Sequence, residues 1–151
     1  MRLTRYTDYA MRVLLHLAAH PDRLCSIAEI ARAYGISRNH LMKVVNDLGK
    51  AGYVASVRGR AGGIRLARSP ESINVGAVVR HAEEGFDLVD CGQCVIAPVC
   101  GLTAVVHEAL AAFLAVFDRY TLADLLGRPS ALLALLAEVP RDPADQASPG
   151  G

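Results

Sequence analysis

Ser26-Ile27-Ala28-Glu29-Ile30-Ala31-Arg32-Ala33-Tyr34-Gly35-Ile36-Ser37-Arg38-Asn39-His40-Leu41-Met42-Lys43-Val44-Val45-Asn46-Asp47-Leu48-Gly49-Lys50 is the stretch that decides the fold. It opens on a capping box, in which Ser26 and Glu29 can each satisfy a free N–H at a helix start. Cys25 and Ile30 flank that cap at the positions of a hydrophobic staple, so Cys25 reads as structural, with metal ligation the lesser alternative. Gly35 supplies a left-handed helix stop and Ser37 a new cap. In the next helix Leu41, Val44, Val45 and Leu48 recur at three- and four-residue intervals and face inward. Arg38, Asn39, His40, Lys43, Asn46 and Lys50 lie on the other face. Two helices across a tight glycine-containing turn, the second polar and basic outside, make a helix-turn-helix pattern.

Working outward, residues 2–19 predict an amphipathic helix with Tyr6, Ala10, Val13, Leu14 and Leu17 on one stripe, closed by Pro21-Asp22. Downstream, 53–57 and 64–67 read as strands around the glycine-rich tip Arg58-Gly59-Arg60-Ala61-Gly62-Gly63, a hairpin that follows the helices as a wing. Residues 1–70 thus form a winged helix-turn-helix module. Residues 71–90 connect it onward, with a helix over 74–84 that turns Val75, Val78 and Val79 inward. A cysteine loop occupies 91–101 and a long helix runs from about Leu102 to Tyr120. That helix carries one stripe of Leu102, Val106, Ala109, Phe113, Val116 and Tyr120, and a second of Val105, Leu110, Leu114 and Phe117. One stripe can cover the chain's own core; two on one helix call for a partner, and a homodimer is the economical solution. A capped turn over 121–126 and a last apolar helix over 131–139 complete a dimerisation region, 102–139, ahead of a tail over 140–151 expected to be disordered. The fold class is therefore mostly α with a small β-hairpin: a winged helix-turn-helix plus a long dimerisation helix.

The net charge of +1 hides an asymmetry: residues 1–70 hold 12 Lys or Arg against 4 Asp or Glu, and residues 71–151 hold 4 against 11. A basic first half suits a polyanion such as double-stranded DNA, and an acidic second half argues against general stickiness. No apolar run approaches the roughly 20 residues that span a bilayer. The N-terminus has no apolar signal core, so the expected location is the cytoplasm, with no membrane partner. In that reducing compartment the four cysteines bind metal or react rather than pair.

On the DNA reading, Ser37, Arg38, Asn39, His40 and Lys43 enter the major groove, where Arg pairs with guanine edges and Asn with adenine. Arg58 and Arg60 reach a phosphate or the minor groove, and Gly62 and Gly63 let the wing backbone approach the duplex. The opposing reading, a merely solvated polar face and hairpin, has to explain why helix, turn, helix and basic wing come in this order.

Cys91-Gly92-Gln93-Cys94-Val95-Ile96-Ala97-Pro98-Val99-Cys100 offers three thiols, one ligand short of a tetrahedral zinc site or an iron–sulfur cluster. Spacing leaves zinc and iron–sulfur evenly matched, with cysteines that bind nothing as a third outcome. An enzyme is disfavoured, because no base accompanies the cysteines and no nucleotide-binding or triad pattern occurs.

Residues 1–126 resemble the dimeric winged-helix repressors that include NsrR, IscR and RirA. The matching segments are Leu3-Thr4-Arg5-Tyr6-Thr7-Asp8-Tyr9, Ser37-Arg38-Asn39-His40, Gly52-Tyr53-Val54, Arg58-Gly59-Arg60-Ala61-Gly62-Gly63-Ile64-Arg65-Leu66, the cysteine loop and Tyr120-Thr121-Leu122-Ala123-Asp124-Leu125. The Ser-Arg-Asn-His segment is most similar to the nitric-oxide-responsive NsrR branch. The resemblance implies an iron–sulfur repressor on the 91–101 loop, whose cluster damage by nitric oxide releases DNA. The alternatives are an iron- or redox-responsive regulator of the same family, or a zinc-stabilised winged-helix protein. In the IscR branch a histidine three residues after the last cysteine helps hold a [2Fe–2S] cluster; that position here is Thr103, and His107 reads as an exposed helix residue. In the NsrR branch a [4Fe–4S] cluster takes its fourth ligand from an aspartate in the first helix of the other subunit, and Asp8 stands at that position. The metal set implied is therefore Cys91, Cys94, Cys100 and Asp8. By its residues alone, Asp8 also suits the positive end of a helix dipole. The first two cysteines are closer together here than in well-known relatives.

Overall fold

Thr4 sets the start of the first helix: its hydroxyl accepts the N–H of Thr7 at 3.3 Å, so α1 spans Arg5–Ala18 rather than beginning at residue 2. The computed structural model describes residues 2–138, and the tail expected over 140–151 lies outside them, as does residue 139. The capping box of Ser26 and Glu29 forms as expected and opens α2, Ile27–Tyr34, which ends on Gly35 at φ 61°. That left-handed turn is the position where a side chain would strain the backbone. Ser37 opens α3, Arg38–Lys50, but its hydroxyl makes no capping bond. The chain then pairs β1, Val54–Val57, antiparallel with β2, Gly63–Leu66, in the register Val54 to Leu66 and Ser56 to Ile64.

Cys25 extends this hairpin. Its N–H donates to Ile64 O at 3.0 Å and its carbonyl accepts from Ile64 N at 2.8 Å, so Ile64 is paired on both edges. Both Cys25 and Ile30 are fully buried, as the staple requires. Leu14 of α1, Ile30 of α2, and Leu41 and Leu48 of α3 fill the core they share with Ile64. Burying each such leucine or isoleucine contributes about 1.5–3 kcal/mol.

Beyond the wing, a short 3-10 turn at Pro70–Ser72 leads to α4, Val75–Ala82, shorter than the predicted 74–84. Its inward residues are Val75, Val78 and Val79, as read from the pattern. The long helix, α5, runs Leu102–Asp118, followed by α6, Leu122–Leu126, behind a Thr121–Asp124 capping box. The last helix, α7, spans Pro129–Ala137, begun two residues earlier than expected because Pro129 suits a helix's first turn. Leu122 is fully buried in the core of the winged module. α6 therefore packs back on α1 and shares that module's core rather than belonging only to the C-terminal region.

No residue of α5 is fully buried: Val106, Leu110, Phe113, Leu114 and Phe117 are half-buried, and the rest of both apolar stripes is exposed. The reason is length: α4, with 8 residues, spans about half the 17 residues of α5 at ~1.5 Å per residue. Contact is made at the far end, where Arg80 and Asp118 form a two-pronged ion pair at 2.5 and 2.7 Å and Asn74 Nδ2 donates to Asp118 O. Among the described residues no helix is long and apolar enough to cross a membrane.

Candidate nucleic-acid interface and cysteine loop

The α3 residues Arg38, Asn39, His40 and Lys43 are all exposed, on the face opposite the buried Leu41, Val44 and Val45. Ser37 is exposed at the same end with its hydroxyl uncommitted to the helix. Arg58 and Arg60 project from the exposed wing tip. Other cations of the basic half have structural work. Arg12 pairs with Asp8, Arg23 with Glu29, and Arg68 donates to the carbonyls of Ala51 and Gly52 while lying over the Tyr53 ring. The polar first turn and a half of α3 and the wing tip are thus presented outward together, on elements fixed by one core. That is the arrangement in which a helix enters a groove while a hairpin meets the adjacent backbone.

The two wing glycines have internal reasons to lack a side chain. A Cβ on Gly62 would lie 2.4 Å from Val57 O, and one on Gly63 would lie 2.8 Å from Cys25 O. Gly63 thus lets the Cys25 strand close against the wing.

The recognition helix is tethered as well as packed. Tyr6 donates its hydroxyl to Asp47 at 2.6 Å, and His81 Nε2 lies 2.8 Å from the same carboxylate oxygen. Tyr6's hydrogen bond, with that of His81, holds Asp47 below the usual carboxylate range despite some opposing burial. Burial first, and then Asp47, push the Tyr6 phenol upward, so it stays a donor. Glu83, the residue that follows α4, takes hold of the start of α1. It accepts from Thr4 N at 2.8 Å, from Thr4 Oγ1 at 3.1 Å and from the Thr7 hydroxyl. Neither Glu83 nor the Tyr6–Asp47–His81 link is evident in the sequence, since each joins residues far apart in the chain.

The cysteine loop lies off the core as successive turns: Cys94 N donates to Cys91 O at 3.3 Å, Ala97 N to Cys94 O at 3.1 Å, and a 3-10 turn covers Ala97–Val99. Cys91 and Cys100 are half-buried, Cys94 is exposed, and all are free thiols. Cys91 Sγ sits 3.5 Å from Thr103 Oγ1 on α5. A cavity of about 500 Å³ opens beside Cys91, lined by residues 86–92 with Thr103, Val106 and His107. His107 is exposed on α5. Asp8 is exposed on the first turn of α1, where both its oxygens engage Arg12, at 3.0 and 2.9 Å. Three accessible thiols on a loop are a donor set that iron and zinc both accept.

Another set of ligand atoms went unread in the sequence. His16, His20 and Cys25 place one ligand atom each within 4.8 Å of the others. The available signal was His16 and His20 at helical spacing, i and i+4, followed closely by Cys25.

Comparison with known proteins agrees with this geometry. Residues 3–128 match the Rrf2 family, described as an iron-dependent transcriptional regulator. The chain is 54% identical to the HTH-type transcriptional regulator NsrR of Bacillus subtilis over 90% of its own length and 97% of that protein's. It is 52% identical to the NsrR of Geobacillus kaustophilus over 91% and 98% of the two lengths. Among solved structures, T. potens IscR superposes with a TM-score of 0.70 at 29% identity, covering 94% of each chain. CymR, the global cysteine regulator of B. subtilis, superposes with a TM-score of 0.67 at 26% identity, covering 84% of this chain and 97% of that one. With winged module, connecting helix and long helix all matched, the chain belongs to the Rrf2 family of transcriptional regulators, DNA-binding proteins and not enzymes.

Proposed function

We propose that this regulator is a cytoplasmic homodimeric repressor that lets go of its operator when nitric oxide reaches an iron–sulfur centre, a [4Fe–4S] cluster, held by Cys91, Cys94, Cys100 and Asp8 of the partner subunit. The observation that carries the reading is the pair of links made just ahead of the loop. Glu83 holds the cap of α1, one turn from Asp8, and His81 holds Asp47 on the recognition helix. A displacement that starts at the loop or at Asp8 therefore reaches α1 and α3 through hydrogen bonds already in place.

The donor set fits such a centre. Three thiols are in hand, and Thr103, beside Cys91, offers only a hydroxyl where a histidine would favour a [2Fe–2S] arrangement. With a cluster held there, the iron bound by Asp8 would be the position open to nitric oxide, since a carboxylate is a harder and weaker ligand for iron than a thiolate. Asp8, freed from such a cluster, would have Arg12 as its partner within the chain, and the tie between α1 and the neighbouring subunit's loop would be lost.

A second copy is the natural cover for α5, whose Leu102, Val105 and Val116 are exposed, as is Tyr120 just beyond it. It also supplies the second recognition helix that a palindromic operator needs, about 34 Å away.

Titrating anaerobic, cluster-loaded protein on an operator fragment with nitric oxide, and separately with iron chelator, tests the reading. Release by nitric oxide supports it. Release by chelator alone makes the chain an iron-responsive regulator, the reading that the family's iron-dependent description favours. Colourless protein that binds DNA with zinc in the loop replaces both with a zinc staple. Native mass spectrometry of the same sample must give a dimer.

A further inference from the structure

The end of α1 and the strand that pairs with the wing enclose an imidazole with nothing to bond. His16 is 2% exposed, and neither of its ring nitrogens has a hydrogen-bond partner among the described residues. Glu29 Oε1 lies 3.4 Å from His16 Nε2, near enough for an ion pair with a charged ring but not aligned as a hydrogen bond. Glu29 is already engaged by Arg23 and by the Ser26 N–H, and burial keeps His16 neutral. Buried polar atoms are almost always satisfied, so two orphaned nitrogens on one ring call for a ligand.

The surroundings supply the rest of a coordination set. His20 stacks on His16 with ring centroids 4.6 Å apart, and its Nδ1 lies 2.8 Å from His16 O. Donation from Nδ1 to that carbonyl fixes the tautomer and leaves the Nε2 lone pair free, the arrangement typical of metal-bound histidines. Cys25 is fully buried and free, and its ligand atom joins those of the two histidines within 4.8 Å.

We propose that His16, His20 and Cys25 form a second metal site, independent of the cysteine loop, that takes one zinc ion. Two imidazoles and a thiolate are the donors a borderline divalent ion prefers, and zinc accepts them in a tetrahedron with one further oxygen ligand. Water is the oxygen ligand for that position, because Glu29, 3.4 Å from His16 Nε2, is held by Arg23 and the Ser26 cap and stays nearby as a negative charge. Binding displaces the Cys25 proton to solvent as the Zn–S bond forms, with no change of oxidation state. Ligand atoms around zinc lie roughly 3.3–3.7 Å apart given bonds of about 2.0–2.3 Å. Closing from 4.8 Å asks for a modest swing of the half-buried His20 in the turn after α1. Because Cys25 is paired on both main-chain groups with Ile64 of β2, the ion ties the end of α1 to the wing that carries Arg58 and Arg60.

The test uses the full chain with Cys91, Cys94 and Cys100 changed to serine, positions on a loop that adds nothing to the buried core. Anaerobic titration with cobalt(II) must give a thiolate-to-cobalt absorption band saturating at one ion per chain and displaced by zinc, since Cys25 is then the sole thiol. Adding His20→Gln should weaken binding roughly tenfold or more while circular dichroism stays unchanged. Adding Cys25→Ser should remove the band. Absence of the band in the triple-serine protein, or an unaltered affinity in His20→Gln, overturns the site.

Discussion

His81, at the end of α4, and Asp47, on the inner edge of the recognition helix, meet across 2.8 Å, and Tyr6 of α1 donates to the same carboxylate oxygen at 2.6 Å. One side chain therefore joins three helices, α1, α3 and α4. The buried leucines of α3 hold it in the core, and Asp47 adds hydrogen bonds to α1 and α4.

Asp47 carries a pH signature. Its folded-state pKa lies below the ordinary carboxylate value, chiefly through Tyr6 and then His81, with Lys50 adding a nearby positive charge. The unfolded chain therefore takes up the proton more readily. The stabilisation is complete above roughly pH 5 and is lost as the pH falls through about 4 and below. Asp47→Asn should flatten that acid limb, measured by denaturant unfolding between pH 7 and pH 3; an unchanged slope would remove the link from the folding balance.

Asp8→Ala removes only an exposed i,i+4 pair with Arg12, so stability should fall by no more than about 0.5 kcal/mol. The protein should still take up a cluster on its three cysteines. Operator release by nitric oxide should nevertheless be lost or strongly blunted. Wild-type coupling in this variant would exclude Asp8 as a ligand.

Arg60→Ala should weaken operator and non-specific DNA alike. The slope of log affinity against log salt should become shallower by about one phosphate contact per subunit. Asn39→Ala should instead lose about 1–3 kcal/mol of discrimination at one base pair while leaving that slope intact. Fluorescence anisotropy at several salt concentrations separates the two effects.

Gly63→Ala places a Cβ 2.8 Å from Cys25 O and 3.0 Å from Leu24 Cβ. The nearer obstacle is backbone, which cannot swing aside, so a cost of about 1–3 kcal/mol is expected. Thermal unfolding reads the loss. Gly59→Ala has open space around it but stands at φ 118°, so its cost is backbone strain without a clash.

The sequence alone determined whatever depends on neighbours along the chain. The Ser26–Glu29 capping box, the Gly35 stop, the inward spacing of Leu41 to Leu48 and the wing glycines are local signals, and each forms the element it predicts. The three loop cysteines and the Ser37 to His40 segment were legible for the same reason, and they carried the family resemblance. Other features were settled only by tertiary packing, because they pair residues tens of positions apart whose meeting no local periodicity encodes. Glu83 grips the start of α1, Asp47 collects Tyr6 and His81, and α6 returns Leu122 to the core of the winged module. Packing likewise left α5 only partly covered, since a helix of 8 residues cannot shield one of 17. It also sealed His16 away from water beside His20 and Cys25, turning three separate residues into one set of ligands.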